Sequence, residues 1–465
     1  MRRVLLVAWI AMFISGCAGL VPPPEPTKPL DAVDPTFGYR FSNLRPGPDN
    51  SDGLFMVVAF SGGGTRSAAL AYGVLDKLRT TQIQWNGKPR RLLDEIDVIH
   101  SVSGGSYAAA YYGLYGDAFF DDFPGRFLNA DFQTELWDRY VSVTGATQAV
   151  GWSANDRVDL LSDILERRLF AKKTFADLLA RQTRPQVVMH ATDLNHGSDF
   201  QFTQDQFDPL CTNLSDLPLA RAVAASSAVP ILFGPVALKN YGGRCGYTSP
   251  NGTQPKLHGL QDPSLALRAQ RYAAVMDSYQ DSSPETGRPW IHLIDGGISD
   301  NLGLRGPLES SAAQGGFAPL LNRLGVRGVR KVVFLVVSAE VLPESGIDQS
   351  GEPPSIREMA TRVLDTLMGN ISFETQTWLR SSFEYWRLEA KEWVNKPDSP
   401  YDGQPEFYLI ETSLRDIADP AARKTMMALP TTFKLAPKQV QSLQDAGRTL
   451  LDNAPEFKRL VQDLQ

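Results

Sequence analysis

The chain has 465 residues, with 46 Lys and Arg against 52 Asp and Glu and a formal net charge of −6. So mild an acidity supplies no basic footprint for nucleic acid, and no nucleic-acid partner is expected. At 43% hydrophobic and 21% charged residues the composition is that of a packed globular body, which suits two or three average domains or one large α/β domain with insertions.

Arg2 and Arg3 precede an apolar run from Val4 to Ile14, and Ser15-Gly16-Cys17 follows. Positive charge, a short apolar core and a small-residue exit form a secretory signal, because the run is too short to span a bilayer comfortably. The small pair before the cysteine resembles the lipobox of bacterial lipoproteins, with Ile14 where that motif usually has Leu. The resemblance implies a signal peptide over 1–17, a diacylated Cys17 and a lipid anchor in the cell envelope. With Ala18 in place of Asp, the outer membrane facing the periplasm is the expected location. An ordinary signal peptide with a chance cysteine is the alternative.

Residues 18–50 include VPPPEPTKPLDAVDP (21–35), too proline-dense for helix or central strand, and are expected to form a semi-rigid tether. No later run of eighteen apolar residues suggests a second membrane element. If Cys17 is acylated, Cys211 and Cys245 remain, either bridged or as two free thiols. The five histidines (100, 190, 196, 258 and 292) lack ligand spacing, so neither a metal nor another cofactor is expected.

LFMVVAFS (54–61) is a continuous apolar run that breaks at Gly62-Gly63-Gly64 and continues as SAALAYGVLDKLR, apolar at helical spacing. Strand, glycine turn and helix begin an α/β unit with a buried parallel strand. Glycines at a helix N-terminus offer bare backbone N–H groups at the positive end of the helix dipole, an anion site. No lysine of a phosphate loop follows, nor the spacing of a dinucleotide loop, so the oxyanion of a tetrahedral intermediate is the better occupant.

IDVIHSVSGGSY (96–107) repeats the arrangement, an apolar strand turning through small residues into an Ala-rich helix. Ser101, Gly104 and Gly105 are small enough for a sharp corner with Ser103 at its tip, a candidate nucleophile elbow. Further along, 134–180 is mainly helical, and 186–194 with 199–204 forms a strand pair about Asn195-His196-Gly197. A small-residue helix within 217–238 stops at Pro230. Residues 239–290 are mostly polar, with glycine and proline, and form a surface insertion with one short helix at 264–278, a possible flap over the site. WIHLIDGG (290–297) ends a short strand in Asp295-Gly296-Gly297, and 326–340 is a clear buried strand. The aromatic and basic stretch 356–395 is a long helix, with core packing favoured over a membrane surface. Residues 407–413 suit another strand and 436–463 amphipathic helices.

SGGGTRS (61–67), SVSGG (101–105) and DGG (295–297), in this order, resemble the oxyanion, elbow and Asp-Gly-Gly motifs of the patatin-like phospholipase family. ATDLNHG (191–197) and ASSAVPILFGP (225–235) resemble segments of its bacterial members. The resemblance covers roughly 54–340. One position departs: Ser101 stands where the elbow motif usually has Gly.

The family implies a three-layer α/β/α fold with a mostly parallel central sheet. It divides the chain into a catalytic domain over 51–340 and a helical extension over 341–465 packed upon it. It implies a Ser103–Asp295 dyad hydrolysing lipid esters through an acyl-enzyme, with Gly62, Gly63 and Gly64 as oxyanion donors and Arg66 bracing the glycine loop. The substrate would be a membrane lipid; oligomeric state is left open. Two alternatives stand: a Ser-His-Asp hydrolase using His292 or His258 with Asp262 or Asp277, and a non-catalytic lipid- or partner-binding envelope lipoprotein.

Overall fold

The sheet begins at β1 (Leu54–Phe60), all of whose side chains are buried. This computed structural model describes residues 27–143, 154–248, 263–341, 346–349 and 351–465. The signal segment with Cys17, and residues 249–262 of the insertion, lie outside the described residues. After β1 come β2 (Gln82–Trp85), β3 (Lys88–Arg91), β4 (Ile96–Val102), β5 (Gln186–Asp193), β6 (Ser198–Gln201), β7 (Val236–Lys239), β8 (Trp290–Asp295), β9 (Val329–Ser338) and β10 (Tyr401–Ser413).

The main sheet has the order β10-β9-β1-β4-β5-β8-β7, with β6 against β5, while β2 and β3 form a separate hairpin. Strands β10, β9, β1, β4 and β5 run parallel; β8 is antiparallel to β5, and β7 to β8. The chain leaves β1 for β4 and β5 on one side and returns on the other for β9 and β10. The C-terminal end of β1 is therefore where connections diverge, the place at which open α/β sheets hold ligands.

Helices cover both faces. Those used below are α1 (Thr65–Thr80), α2 (Gly104–Tyr115), α3 (Phe132–Val143), α4 (Ala154–Leu165), α5 (Leu219–Ser226), α6 (Pro263–Ser278), α7 (Arg305–Gln314), α8 (Ile356–Trp393) and α9 (Pro437–Asn453). Met56, Val58 and Phe60 of β1 enter one core with α1, α2 and α9, whereas Phe55, Val57 and Ala59 enter the other with α6, α7 and α8. That alternation on a strand buried on both faces explains its unbroken apolar sequence. The architecture is three-layer α/β/α with a mostly parallel sheet.

Three boundaries differ from expectation. Residues 27–50 are no free tether: Tyr39, Phe41 and Leu44 are buried, and Leu30 N–H donates to Cys211 O at 2.8 Å. Arg40 adds a buried ion pair, Nη2 to Asp208 at 2.8 Å. Prolines prevented helix here, but the aromatic residues after them supply the apolar area that docks the segment. Second, the extension is not purely helical. β10 completes the sheet beside β9 in parallel register, Phe407 opposite Val332 through Ser413 opposite Ser338, so 341–465 belongs to the same sheet and core as 51–340. Third, the insertion's helix α6 packs against α7 on the far face of the sheet rather than over Ser103. Its neighbour Cys245 forms a disulfide with Cys211, with Cα atoms 5.5 Å apart.

Candidate active site

Ser103 ends β4 and begins α2 with φ 47° and ψ −116°, a strained corner that turns its side chain out of the strand. The corner is held from beneath. Ser103 N–H donates to Ser226 Oγ at 2.8 Å, and that hydroxyl donates to His190 O at 2.6 Å. Ser101, the departure from the motif, is fully buried in the same cluster. Its Oγ accepts from Ser106 Oγ at 3.2 Å, and Ser106 lies 3.0 Å from Ser226 Oγ. The extra hydroxyl is thus spent on packing beneath the turn.

Asp295 reaches the same level through register. Val102 of β4 lies opposite His190 of β5, and the next β5 residue, Ala191, is opposite Asp295 on the other edge. Since β8 is antiparallel, the carboxylate is placed by pairing and not by the usual C-terminal end of a parallel strand. Thr192 Oγ1 donates to Asp295 O at 2.8 Å and fixes the backbone. Asp295 Oδ1 accepts from Gly297 N–H at 2.8 Å, while Oδ2 has no aligned donor. Burial pushes this carboxyl up to about 6, opposed by the Gly297 N–H and the Ser103 hydroxyl. Ser103 is therefore near enough to act on the carboxyl, though its hydroxyl is not aligned for a full hydrogen bond. Ser103 and Asp295 are only 7% and 2% exposed, so the low-dielectric surroundings that raise the pKa are real.

The glycine loop lies against the elbow. A Cβ on Gly104 would fall 2.4 Å from Gly64 N and 2.2 Å from its carbonyl oxygen, so the approach requires hydrogen at that position. Gly64 itself takes φ 60° at the start of α1, beyond what a larger residue adopts readily. The three expected oxyanion donors differ. Gly62 N–H is already shared between the backbone and side-chain oxygens of Asn301, each at 3.1 Å. No protein acceptor is recorded among the described residues for the N–H groups of Gly63 or Gly64.

Arg66 is buried and points away from the elbow. It donates to Ala339 O at 2.9 Å, Leu429 O at 2.5 Å and Thr431 Oγ1 at 3.2 Å, while burial lowers its pKa to about 10. Thr65 N–H donates to Thr432 O at 2.9 Å, and Phe433 meets Tyr107 of α2 with ring centroids 6.2 Å apart. Residues 429–433 thus lie over the glycine loop. From the other side α8 brings Met368 Cε within 2.5 Å of where a Gly297 Cβ would be.

Ser226, within the 225–235 segment, and Asn301, four residues beyond Gly297, carry no signal in the sequence that marks them as part of the site. The histidine alternative gains no support. His292 is exposed on β8, and its odd offset from Asp295 directs the two side chains to opposite faces. His258 and Asp262 lie outside the described residues, and Asp277 sits on α6 at the far face. Among the described residues no His, Cys, Asp and Glu group is arranged to hold a metal.

The profile of the patatin-like phospholipase family matches residues 58–308. No curated protein matches the sequence. Among solved structures, human GIVD cytosolic phospholipase A2 in complex with methyl gamma-linolenyl fluorophosphonate is 11% identical with TM-score 0.39, covering 89% of this chain and 59% of that one. The same human enzyme without that ligand named is 12% identical at TM-score 0.33, covering 61% of this chain and 45% of that one. VipD from Legionella pneumophila is 11% identical at TM-score 0.32, covering 98% of this chain and 73% of that one. The chain therefore spans about half the length of the human phospholipase, and likenesses this distant carry no argument about the site.

Proposed function

The chain belongs to the patatin-like phospholipase family and so to the lipid acyl hydrolases; within that class we propose that it works as a Ser103–Asp295 dyad enzyme. Ser103 Oγ attacks the ester carbonyl carbon as its proton passes to Asp295 Oδ2. Gly63 and Gly64 N–H groups receive the oxyanion, while Gly62, held by Asn301, fixes the loop. Collapse of the intermediate expels the alcohol, which takes the proton from Asp295 and leaves an acyl-enzyme. Water then attacks the acyl carbon, Asp295 accepting its proton; as the bond from the acyl carbon to Ser103 Oγ breaks, that proton passes from Asp295 to Ser103 Oγ, and the fatty acid departs. The observation that carries this reading is the buried Asp295 oxygen without an aligned donor, set level with Ser103 by strand register.

A bilayer phospholipid or lysophospholipid is the proposed substrate. Supporting it, α8 carries an exposed apolar ridge beside the site, with Ile356 83% and Val363 57% exposed and Met359 and Leu367 on the same side. Spacing of three and four residues puts the ridge on one helix face, as an interfacial helix requires. We further propose that Cys17 carries a lipid anchor in the outer membrane, facing the periplasm. The nine residues 18–26 then reach at most about 30 Å, which keeps the docked body close to its bilayer.

The test is hydrolysis of a short p-nitrophenyl ester and of phosphatidylcholine vesicles by wild type, Ser103→Ala, Asp295→Asn and His292→Ala. Loss in the first two variants with activity kept in the third is expected. Activity in Asp295→Asn with none in His292→Ala would replace the dyad by a triad, and no turnover by wild type would leave a lipid-binding protein.

A further inference from the structure

Between α8 and the C-terminal ends of β9 and β10 lies a pocket of about 180 Å³ that neither Ser103 nor Asp295 lines. It adjoins the glycine loop all the same. Ala339 N–H donates to Ser61 Oγ at 2.8 Å, Ala339 O accepts from Arg66 Nε, and a Cβ on Gly63 would lie 3.6 Å from the Ala339 Cβ. Side chains alternate along an extended chain, so the next residue, Glu340, turns to the other face with Ser338 and Val336, and all three line the pocket. Its carboxylate thus stands one residue beyond the contact with a proposed oxyanion donor.

The pocket holds charge of both signs, and part of it is unpaired. Glu411 Oε2 accepts from Arg380 Nε at 2.9 Å, and Asp416 Oδ2 from Ser413 N–H at 3.0 Å. The exposed Arg415 guanidinium, by contrast, has no hydrogen-bond partner among the described residues, and no ion pair joins it to Glu340. Glu340 and Glu411 each keep one oxygen, Oε1, shut off from solvent and without a donor. Burial pushes the Glu340 carboxyl up, opposed by the Arg415 charge and by a Ser372 hydroxyl that is near without being aligned for a full hydrogen bond. Arg415 and Glu340 line one pocket and feel each other without meeting. The span between them suits a molecule that carries both signs.

We propose that this pocket receives the headgroup of the lipid and selects a phosphodiester bearing a primary ammonium, with the cation at Glu340 and the phosphate at Arg415. The inference rests on the phospholipid reading above and deepens it. An ammonium brings three N–H donors to a carboxylate that receives no aligned donor from the described residues, whereas a trimethylammonium brings none. A headgroup without a cation would set a second negative charge beside Glu340, which like-charge repulsion opposes. Arg415 meets the phosphate that every phospholipid carries, so it adds affinity without telling one headgroup from another. Discrimination therefore falls to Glu340.

The test titrates the full chain carrying Ser103→Ala with glycerophosphoethanolamine and with glycerophosphocholine, followed by calorimetry. The ethanolamine compound is expected to bind about tenfold more tightly, the worth of one hydrogen bond to a charged group. Adding Glu340→Gln should abolish that preference, and adding the exposed Arg415→Ala should weaken both compounds alike. Turnover gives a second readout. Wild-type kcat/KM should favour phosphatidylethanolamine over phosphatidylcholine in mixed micelles by a similar factor, and the ratio should fall towards one in Glu340→Gln. Equal binding of the two compounds, or a preference that survives Glu340→Gln, would overturn the proposal. Absence of turnover on any ester would remove the dyad reading instead, and the titration would still decide the pocket.

Discussion

In the proposed dyad Asp295 can act as a base only without its proton, and burial pushes its carboxyl up to about 6. Turnover is therefore expected to rise with pH through about 6 and level off above it, well above the range of an ordinary carboxylate. A profile already flat at pH 5 would contradict the assignment. Stability gives an independent reading with the opposite sign. The folded pKa lies above the unfolded value of 3.8, so the folded state binds the proton more tightly and loses stability as pH rises between the two. Asp295→Asn should thus match wild type in denaturant unfolding near pH 4 and exceed it above pH 7 by about 2–3 kcal/mol. Ser101→Ala removes only a hydroxyl from the cluster beneath the elbow, and kcat is expected to stay within a few-fold of wild type. Ser103, Asp295 and the three glycines could be read from the chain because each follows an apolar run with small residues where a corner must form. Ser226 and Asn301 could not, since their roles are hydrogen bonds to residues 123 and 239 positions away.

At the level of elements, the site depends on two helix N-termini meeting without side chains between them. Gly104→Ala would force the elbow and the Gly64 backbone apart. Because a shift of about 1 Å can cost on the order of 100-fold in rate, the variant should lose at least that in kcat while its far-ultraviolet dichroism is unchanged. Wild-type kcat in this variant would show that the contact does not position the oxyanion donors. Strand identities were legible from buried runs such as 54–60 and 329–338; the direction of β8 was not, because hydrophobicity does not encode pairing partners. The long helix α8 combines two faces that composition had set against each other. Trp378, Phe383 and Trp386 pack under the sheet, whereas the ridge from Ile356 to Leu367 faces out. Replacing Ile356, Met359, Val363 and Leu367 by serine should lower vesicle hydrolysis at least tenfold and leave the soluble ester untouched; equal loss on both substrates would point to misfolding instead.

For the molecule as a whole, the last quarter of the chain belongs to the same folded body as residues 51–340. β10 covers the outer edge of β9, and residues 429–432 accept from Arg66 and from Thr65 N–H beside the glycine loop. A chain ending at residue 340 would expose that strand edge and leave the buried guanidinium without two of its acceptors, so it is expected to show no cooperative unfolding transition. The order of the three motifs revealed the core of the fold, but a motif says nothing about which later segments close it. The same limit applies at the N-terminus, where proline content concealed the docking of Tyr39 and Phe41. The central claim, that Ser103 is the nucleophile, is tested most directly by exposing the full chain to a fluorophosphonate probe and mapping the adduct by peptide mass spectrometry. A single adduct on the peptide containing Ser103, lost in Ser103→Ala and kept in Ser101→Ala, is predicted. Equal labelling of wild type and Ser103→Ala would contradict it.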